Sequence, residues 1–231
     1  MKDQLILLLE TATTTCSVAL SQNGSILAIK EVNERNIHAS HITLFIEEVL
    51  VAANKTYSEL QAIAISKGPG SYTGLRIGVS TAKGLCYALD IPLIGIDTIE
   101  AMASGFSDSS KLSDSSLLIP MLDARRMEVY TGVYRKDLSI VESVRAKIVD
   151  KDSFNEYNNQ SLFLFGDGAD KFRELFKDQP TINFSDFVTS ACHLNALALK
   201  KFHDSDFENL AYFEPFYLKD FLVTTSKKGL L

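Results

Sequence analysis

SKGPGSYTGLRIGVSTAKGLCYAL, residues Ser66 to Leu89, sets a strand end, a glycine turn and a long helix in succession. Ala62 to Ser66 is a short apolar run that leads into the turn. Gly68, Pro69 and Gly70 punctuate it, and glycine adopts the positive φ such turns need. Ser71 or Thr73 is placed to cap the helix that follows. Gly74, Gly78 and Ala82 then recur every fourth residue, so they form one stripe of small side chains. A glycine costs about 1 kcal/mol in a helix interior, and this helix accepts it repeatedly. Two readings stand side by side. Backbone N–H groups at a glycine turn and helix start hold phosphate in some folds. Alternatively, the stripe lets another backbone approach closely. The motif is neither G-x-x-x-x-G-K-[ST] nor a well-placed G-x-G-x-x-G.

Upstream, Leu5–Leu9, Cys16–Ser21 and Ile26–Val32 read as three strands. A threonine-rich corner joins the first two, and the hairpin signal Gln22-Asn23-Gly24-Ser25 joins the last two. Ile42, Phe45, Ile46, Val49, Leu50 and Ala53 then follow helical spacing. Leu44 and Val51 fall outside that stripe, so the apolar face is wider than one core contact needs. Leu60–Ser66 is a fourth strand, Pro92–Ile96 a fifth, and Thr98 starts a third helix running to Ser104. The order βββαβαβα matches the ribonuclease-H-like half of the superfamily of actin, sugar kinases and heat-shock ATPases. The expected class is α/β: a two-lobed actin-like (ASKHA) fold with ribonuclease-H-like mixed sheets flanked by helices.

Residues 1–104 are the expected amino-terminal lobe, 105–116 (GFSDSSKLSDSS) a linker, and 117–231 a smaller carboxy-terminal α/β lobe. In that second half, strands are expected at Leu117–Leu122, Glu128–Tyr134, Ser139–Ile148 and Leu162–Phe165. Helices are expected at Ala169–Phe176 and Ala191–Phe202. Phe213–Phe221 reads as extended, and the tail TTSKKGLL as mobile.

Composition narrows the function. The chain is 46% hydrophobic and 23% charged, as expected of a globular protein. A net charge of −6 opposes a free-standing nucleic-acid binder, which needs a basic surface. No apolar run has the length of a membrane span, and the amino terminus reads as a first strand, not a leader. Cys16, Cys86 and Cys192 are widely spaced and odd in number, so a reduced, cytoplasmic setting is expected.

The candidate chemistry is sparse. His38 and His41 stand three apart, the wrong spacing for a metal-binding H-E-x-x-H helix. Glu10 and Asp123 each follow a strand, one in each lobe, where acids of actin-like ATPases hold Mg²⁺ or orient water. Acids in such places also simply cap turns. Gly166-Asp167-Gly168 is a glycine turn after a strand and a weak candidate for approaching a nucleotide. Arg125 and Arg126 suit an anion or a carboxylate. No Ser-His-Asp arrangement is legible, and GPGSYTG is not G-x-S-x-G.

LLLETATTTCSVAL, GPGSYTGLRIGVSTAKGL, GIDTIEAMA and MLDARRMEVY together resemble the TsaB family, also called YeaZ or glycoprotease-like protein. The matching segments span residues 5 to 134, and GDGA and the final YLKD match in outline. The resemblance implies a two-lobed actin-like fold. It also implies a part in forming N6-threonylcarbamoyladenosine at position 37 of tRNA. There the TsaB family is a non-catalytic, activating scaffold for its paralogue TsaD, with the ATPase TsaE as a further partner. TsaD carries an H-x-x-x-H pair for its metal, and His38 and His41 do not reproduce it. The resemblance implies no metal and no cofactor required by this chain alone, with ATP or ADP placed at the interface with TsaD. It implies contact with tRNA only through the complex. The wide apolar face of Ser40–Ala53 and the small-residue stripe of Tyr72–Leu89 make a patch that monomers rarely expose, so a homodimer is expected when the partner is absent. The implied contact helices map to Ser40–Ala53 and Tyr72–Leu89. The expected interface residues are His38, His41, Leu44, Phe45, Val51, Tyr72, Gly74, Arg76, Gly78 and Ala82. Glu10 departs from the Asp more common in the family, which weakens a Mg²⁺ role. The competing expectations are an active ATPase or kinase of the same superfamily and, from the older name, an M22-type metalloprotease.

Overall fold

A computed structural model describes residues 4–109 and 111–219. The chain begins as an antiparallel meander, β1 (Leu5–Glu10), β2 (Thr15–Gln22) and β3 (Ser25–Asn33). Helix α1 (His38–Ala52) crosses to β4 (Ala62–Gly68), which pairs with β1 in parallel, Ile6 opposite Ala62. Helix α2 (Tyr72–Leu89) crosses to β5 (Leu93–Asp97), and α3 (Thr98–Ser107) follows directly. The first sheet is ordered β3-β2-β1-β4-β5. Strand β1 is buried throughout, because successive side chains serve opposite faces. Leu5, Leu7 and Leu9 meet the α1–α2 layer, while Ile6 and Leu8 meet the opposite layer. A strand covered on both faces reads as the continuous apolar run LILLL.

The second sheet repeats the plan. β6 (Leu117–Asp123), β7 (Glu128–Arg135) and β8 (Ile140–Ile148) form a meander, and β9 (Leu162–Phe165) pairs in parallel with β6. A four-residue strand at the far edge, β10 (Ile182–Ser185), pairs in parallel with β9. The order β10-β9-β6-β7-β8 is the first sheet's order read back.

Four expectations need correction. Ala169–Phe176 forms only a 3-10 turn at Asp170–Phe172 followed by further turns. The segment is too short to sustain a nucleus, and Phe172 and Phe176 reach the core without a helix. Strand β10 is too brief to show a period and was not foreseen. The expected helix over Ala191–Phe202 begins as a 3-10 turn, Ala191–Leu194, and becomes α4 at Asn195–His203. Finally, 117–231 is not all second lobe. Ala191, Leu194, Leu197 and Ala198 pack with Ile6, Leu8 and Ile94 of the first sheet. The chain therefore returns to the first lobe after Ser185.

The stretch 105–116 is not a bare linker. Helix α3 continues to Ser107, and Phe106 and Leu112 are buried with Leu118, Phe163 and Phe165 of the second sheet. Helix α3 also sends Ala101 to the first sheet's outer layer, so it packs against both sheets. From Phe213 the described chain runs to Lys219 without a strand. Phe221 and the tail TTSKKGLL lie outside the described residues.

Candidate functional site

Helix α2 has two small-residue faces, and the structure assigns them opposite roles. Ser71 caps the helix, its hydroxyl accepting from the Gly74 N–H at 3.3 Å. Gly74, Gly78 and Ala82 are buried. A Cβ on Gly74 would stand 2.1 Å from the Thr11 carbonyl oxygen. On Gly78 it would stand 2.2 Å from Thr11 Oγ1 and 3.0 Å from Ile65 Cδ1. These glycines therefore seat the corner between β1 and β2, and the corner's Ala12 carbonyl accepts from the Ser71 N–H at 2.6 Å. Gly74, Gly78 and Ala82 are thus withdrawn from the expected interface; Gly74 and Gly78 are closed off by Thr11, and Ala82 lies in the core.

The outer face of α2 carries Thr73, Arg76, Ser80, Gly84, Tyr87 and Ala88, all exposed. Their steps of three and four residues place them on one side of the helix. A Cβ on Gly84 would meet nothing within 4 Å, so no internal packing requires glycine there. Tyr87 is 84% exposed. On α1, Ile42, Phe45, Ile46, Val49 and Leu50 fill the core, while Leu44 and Val51 stand 51% and 72% exposed. These two lie seven residues apart, hence on one side of α1.

The two histidines diverge. His38 is buried, and its Nε2–H donates to the Thr15 carbonyl at 3.2 Å. The half-buried His41 sets its ring edge-on to Phe45 at 5.5 Å and its Nδ1 2.8 Å from Ser40 Oγ. His38 and Phe45 therefore belong to the lobe's interior and not to the expected interface. Leu44, Val51 and Arg76 face outward, with His41 and Tyr72 half-exposed.

The candidate nucleotide and metal groups are engaged elsewhere. Glu10 is 1% exposed, and its Oε1 accepts from the Ala12 N–H at 2.6 Å. Burial pushes its carboxyl up to about 7, although that N–H opposes the rise. Asp123 Oδ1 takes the Lys171 ammonium at 2.5 Å and the Arg125 N–H at 3.1 Å. Asp167 accepts from the Asp123 N–H at 3.0 Å. Gly166 has a φ of +100°, and a Cβ there would meet the Met121 carbonyl oxygen at 2.4 Å. A Cβ on Gly168 would press on the Leu122–Asp123 peptide. The turn Gly166-Asp167-Gly168 is thus shaped by packing on the end of β6. A fully buried Glu10 whose carboxyl already accepts the Ala12 N–H, and a lysine-paired Asp123, make poor cation ligands. Among the described residues, no three His, Cys, Asp or Glu side chains are grouped to hold a metal ion. Arg125 and Arg126 form the β6–β7 corner with φ of +71° and +52°.

Two lobes on one repeated strand order, joined by an α3 that serves both, define the actin-like two-lobed class. YeaZ from Pseudomonas aeruginosa superposes with a TM-score of 0.80 at 23% identity, covering 93% of this chain and all of that one. The activator of 2-hydroxyisocaproyl-CoA dehydratase from Clostridium difficile, with bound ADPNP, shares the fold more distantly, with a TM-score of 0.53 at 7% identity. The family model described as TsaD, tRNA N6-adenosine threonylcarbamoyltransferase, matches residues 29–227. The tRNA threonylcarbamoyladenosine biosynthesis protein TsaB of Escherichia coli is 35% identical over 132 residues, 57% of this chain and 55% of that protein. The Haemophilus influenzae TsaB is 27% identical over 230 residues, 95% of each chain. The match thus spans about half of the first relative's length and nearly all of the second's. The chain belongs to the TsaD family, on its TsaB (YeaZ) branch.

Proposed function

We propose that this protein acts in tRNA threonylcarbamoyladenosine formation as a non-catalytic, activating subunit that docks on a TsaD-type transferase. The observation that carries the reading is the outer face of α1 and α2. It exposes Leu44 and Val51 on α1, and Tyr87 with the small Ser80 and Gly84 on α2. Exposed apolar side chains gathered with small ones suit a helix-on-helix contact. The names of the relatives support the pathway. Two TsaD-type enzymes of Bacillus species, 35% and 36% identical over 115 residues, support kinship with the partner. The poor cation ligands at Glu10 and Asp123 favour a scaffold over an ATPase or kinase. ATP or ADP is then held jointly with TsaD, and TsaE joins the assembly. A net charge of −6 suits contact with tRNA only through the complex. Without TsaD, two copies pair through the same face. The free thiols Cys16, Cys86 and Cys192 suit a reducing cytoplasm, and no helix among the described residues is long and apolar enough to cross a membrane.

The test is reconstitution of the modification from TsaD, TsaE, a threonylcarbamoyl-adenylate synthase and this chain. Modification should require the chain and fail with Val51→Asp. Steady ATP or protein hydrolysis by the chain alone, lost in Glu10→Ala or Asp123→Ala, would overturn the scaffold reading.

A further inference from the structure

The start of α2 presents a guanidinium held ready and left unpaired. Arg76 lies over the Tyr72 ring at 4.1 Å from its centroid. Its Nε–H donates to the Tyr217 hydroxyl at 3.0 Å. The Tyr72 and Tyr217 rings pack against each other at 5.0 Å between centroids, tilted by 35°. Tyr217 arrives from the far end of the chain, on a segment fastened at several points. The Phe216 N–H donates to the Lys67 carbonyl at 2.7 Å. The Lys83 ammonium donates to the carbonyls of Phe213 at 2.7 Å and Ala211 at 3.3 Å. Two aromatic rings and one hydroxyl therefore fix the long arginine side chain. Ordering that side chain is the main entropic cost of using it in recognition.

Nε is occupied, and among the described residues neither terminal NH₂ group of Arg76 has a hydrogen-bond partner. Among the described residues no carboxylate forms an ion pair with Arg76. Two parallel N–H donors at that edge match the two oxygens of a carboxylate. Arg76 shares the outer face of α2 with Ser80, Gly84 and Tyr87. We infer that Arg76 is a specificity residue of the docking face, taking a carboxylate of the TsaD-type partner, and that Tyr217 is its positioning residue. The inference rests on the docking reading above. It makes that face composite: two amino-terminal helices plus one side chain from residue 217. The chain carries a net charge of −6, which opposes an RNA phosphate and leaves a protein carboxylate as the better match for the fork.

The experiment measures binding of TsaD to the intact chain and to Arg76→Lys, Tyr217→Phe and Val51→Asp, at low and high salt, with thermal unfolding of each. Arg76→Lys keeps the charge and loses the planar fork, so affinity should fall about tenfold or more. Tyr217→Phe keeps the ring and loses the hydroxyl; affinity should fall about threefold to tenfold at an unchanged melting temperature. Both losses should shrink at high salt. If Val51→Asp abolishes binding while Arg76→Lys binds like the parent, the docking face stands and the arginine inference falls. If Val51→Asp binds normally, the docking reading itself falls. If Arg76→Lys spares TsaD binding but lowers the complex's affinity for tRNA, the fork holds phosphate and the inference is overturned.

Discussion

An alanine scan of the α2 glycines should give opposite signs along a single helix. In every case alanine removes the flexibility of glycine, a gain of up to about 1 kcal/mol. At Gly84 nothing lies within 4 Å of the added carbon, so the gain is kept whole. For a chain of this length 1 kcal/mol is worth about 2–4 °C in melting temperature. Gly84→Ala should therefore melt about 2–4 °C higher. At Gly74 the added carbon would lie 2.1 Å from the Thr11 carbonyl oxygen, which is backbone and cannot rotate away. The corner that carries this oxygen is pinned by the Ser71 N–H on Ala12 and by Glu10 on the Ala12 N–H, both at 2.6 Å. Restoring a normal contact moves the corner or tilts the helix by about 1 Å. Overpacking of this kind costs roughly 1–3 kcal/mol, occasionally more. The expected net result for Gly74→Ala is a fall of several degrees. Gly78→Ala should fall too, by less, because its nearest obstacle is the Thr11 hydroxyl, a side-chain atom. Calorimetric melts of the three variants settle the matter. A stabilised Gly74→Ala, or a Gly84→Ala that melts below the parent, would refute this division of the helix into an inner and an outer face.

Val51→Asp should convert a self-associating chain to a monomer in sedimentation at micromolar concentration; a parent that is already monomeric there contradicts the homodimer. Glu10 gives a pH signature. Its carboxyl titrates near 4.5 when exposed and at about 7 when folded, so the native state binds the proton more tightly and stability falls as pH rises from about 4.5 to 7. The full span is worth roughly 3 kcal/mol, and Glu10→Gln should flatten the denaturation-midpoint profile between about pH 4.5 and 7. An unchanged profile means that Glu10 is not buried as an acid. Asp123→Asn should loosen the β6–β7 corner by releasing Lys171, seen as faster amide exchange there and not as lost metal affinity.

The first lobe was legible because each element carries its own signal. Strand β1 is uniformly apolar, β2 and β3 flank an Asn-Gly turn, and α1 and α2 show helical periods. The second lobe was legible only in its meander. Its later crossings are turns and a brief strand whose shape comes from Phe172, Phe176 and Ile182 finding one core. That is a tertiary cause, and it leaves no local period to read. The return of Ala191–Ala198 to the first sheet was hidden for the same reason: an amphipathic segment declares that it has an apolar face, not which sheet covers it.

The candidate site shows the same limit more sharply. The two small-residue stripes of α2, Gly74-Gly78-Ala82 and Ser80-Gly84-Ala88, have identical spacing. Sequence alone ranks the first as the better docking surface because it holds two glycines. The structure separates the two with one measurement, the space beside each missing Cβ. Where the corner at Thr11 fills that space, glycine is explained from within. At Gly84 the space is open, and the helix keeps a residue that weakens it without any internal return. A cost with no internal cause points outward. Tyr217 escapes sequence reasoning altogether, since only the fold brings it to Arg76 across 141 residues. The proposed docking face is therefore a property of the closed chain, and Tyr217→Phe tests it at a residue distant in sequence from both helices yet in contact with α2.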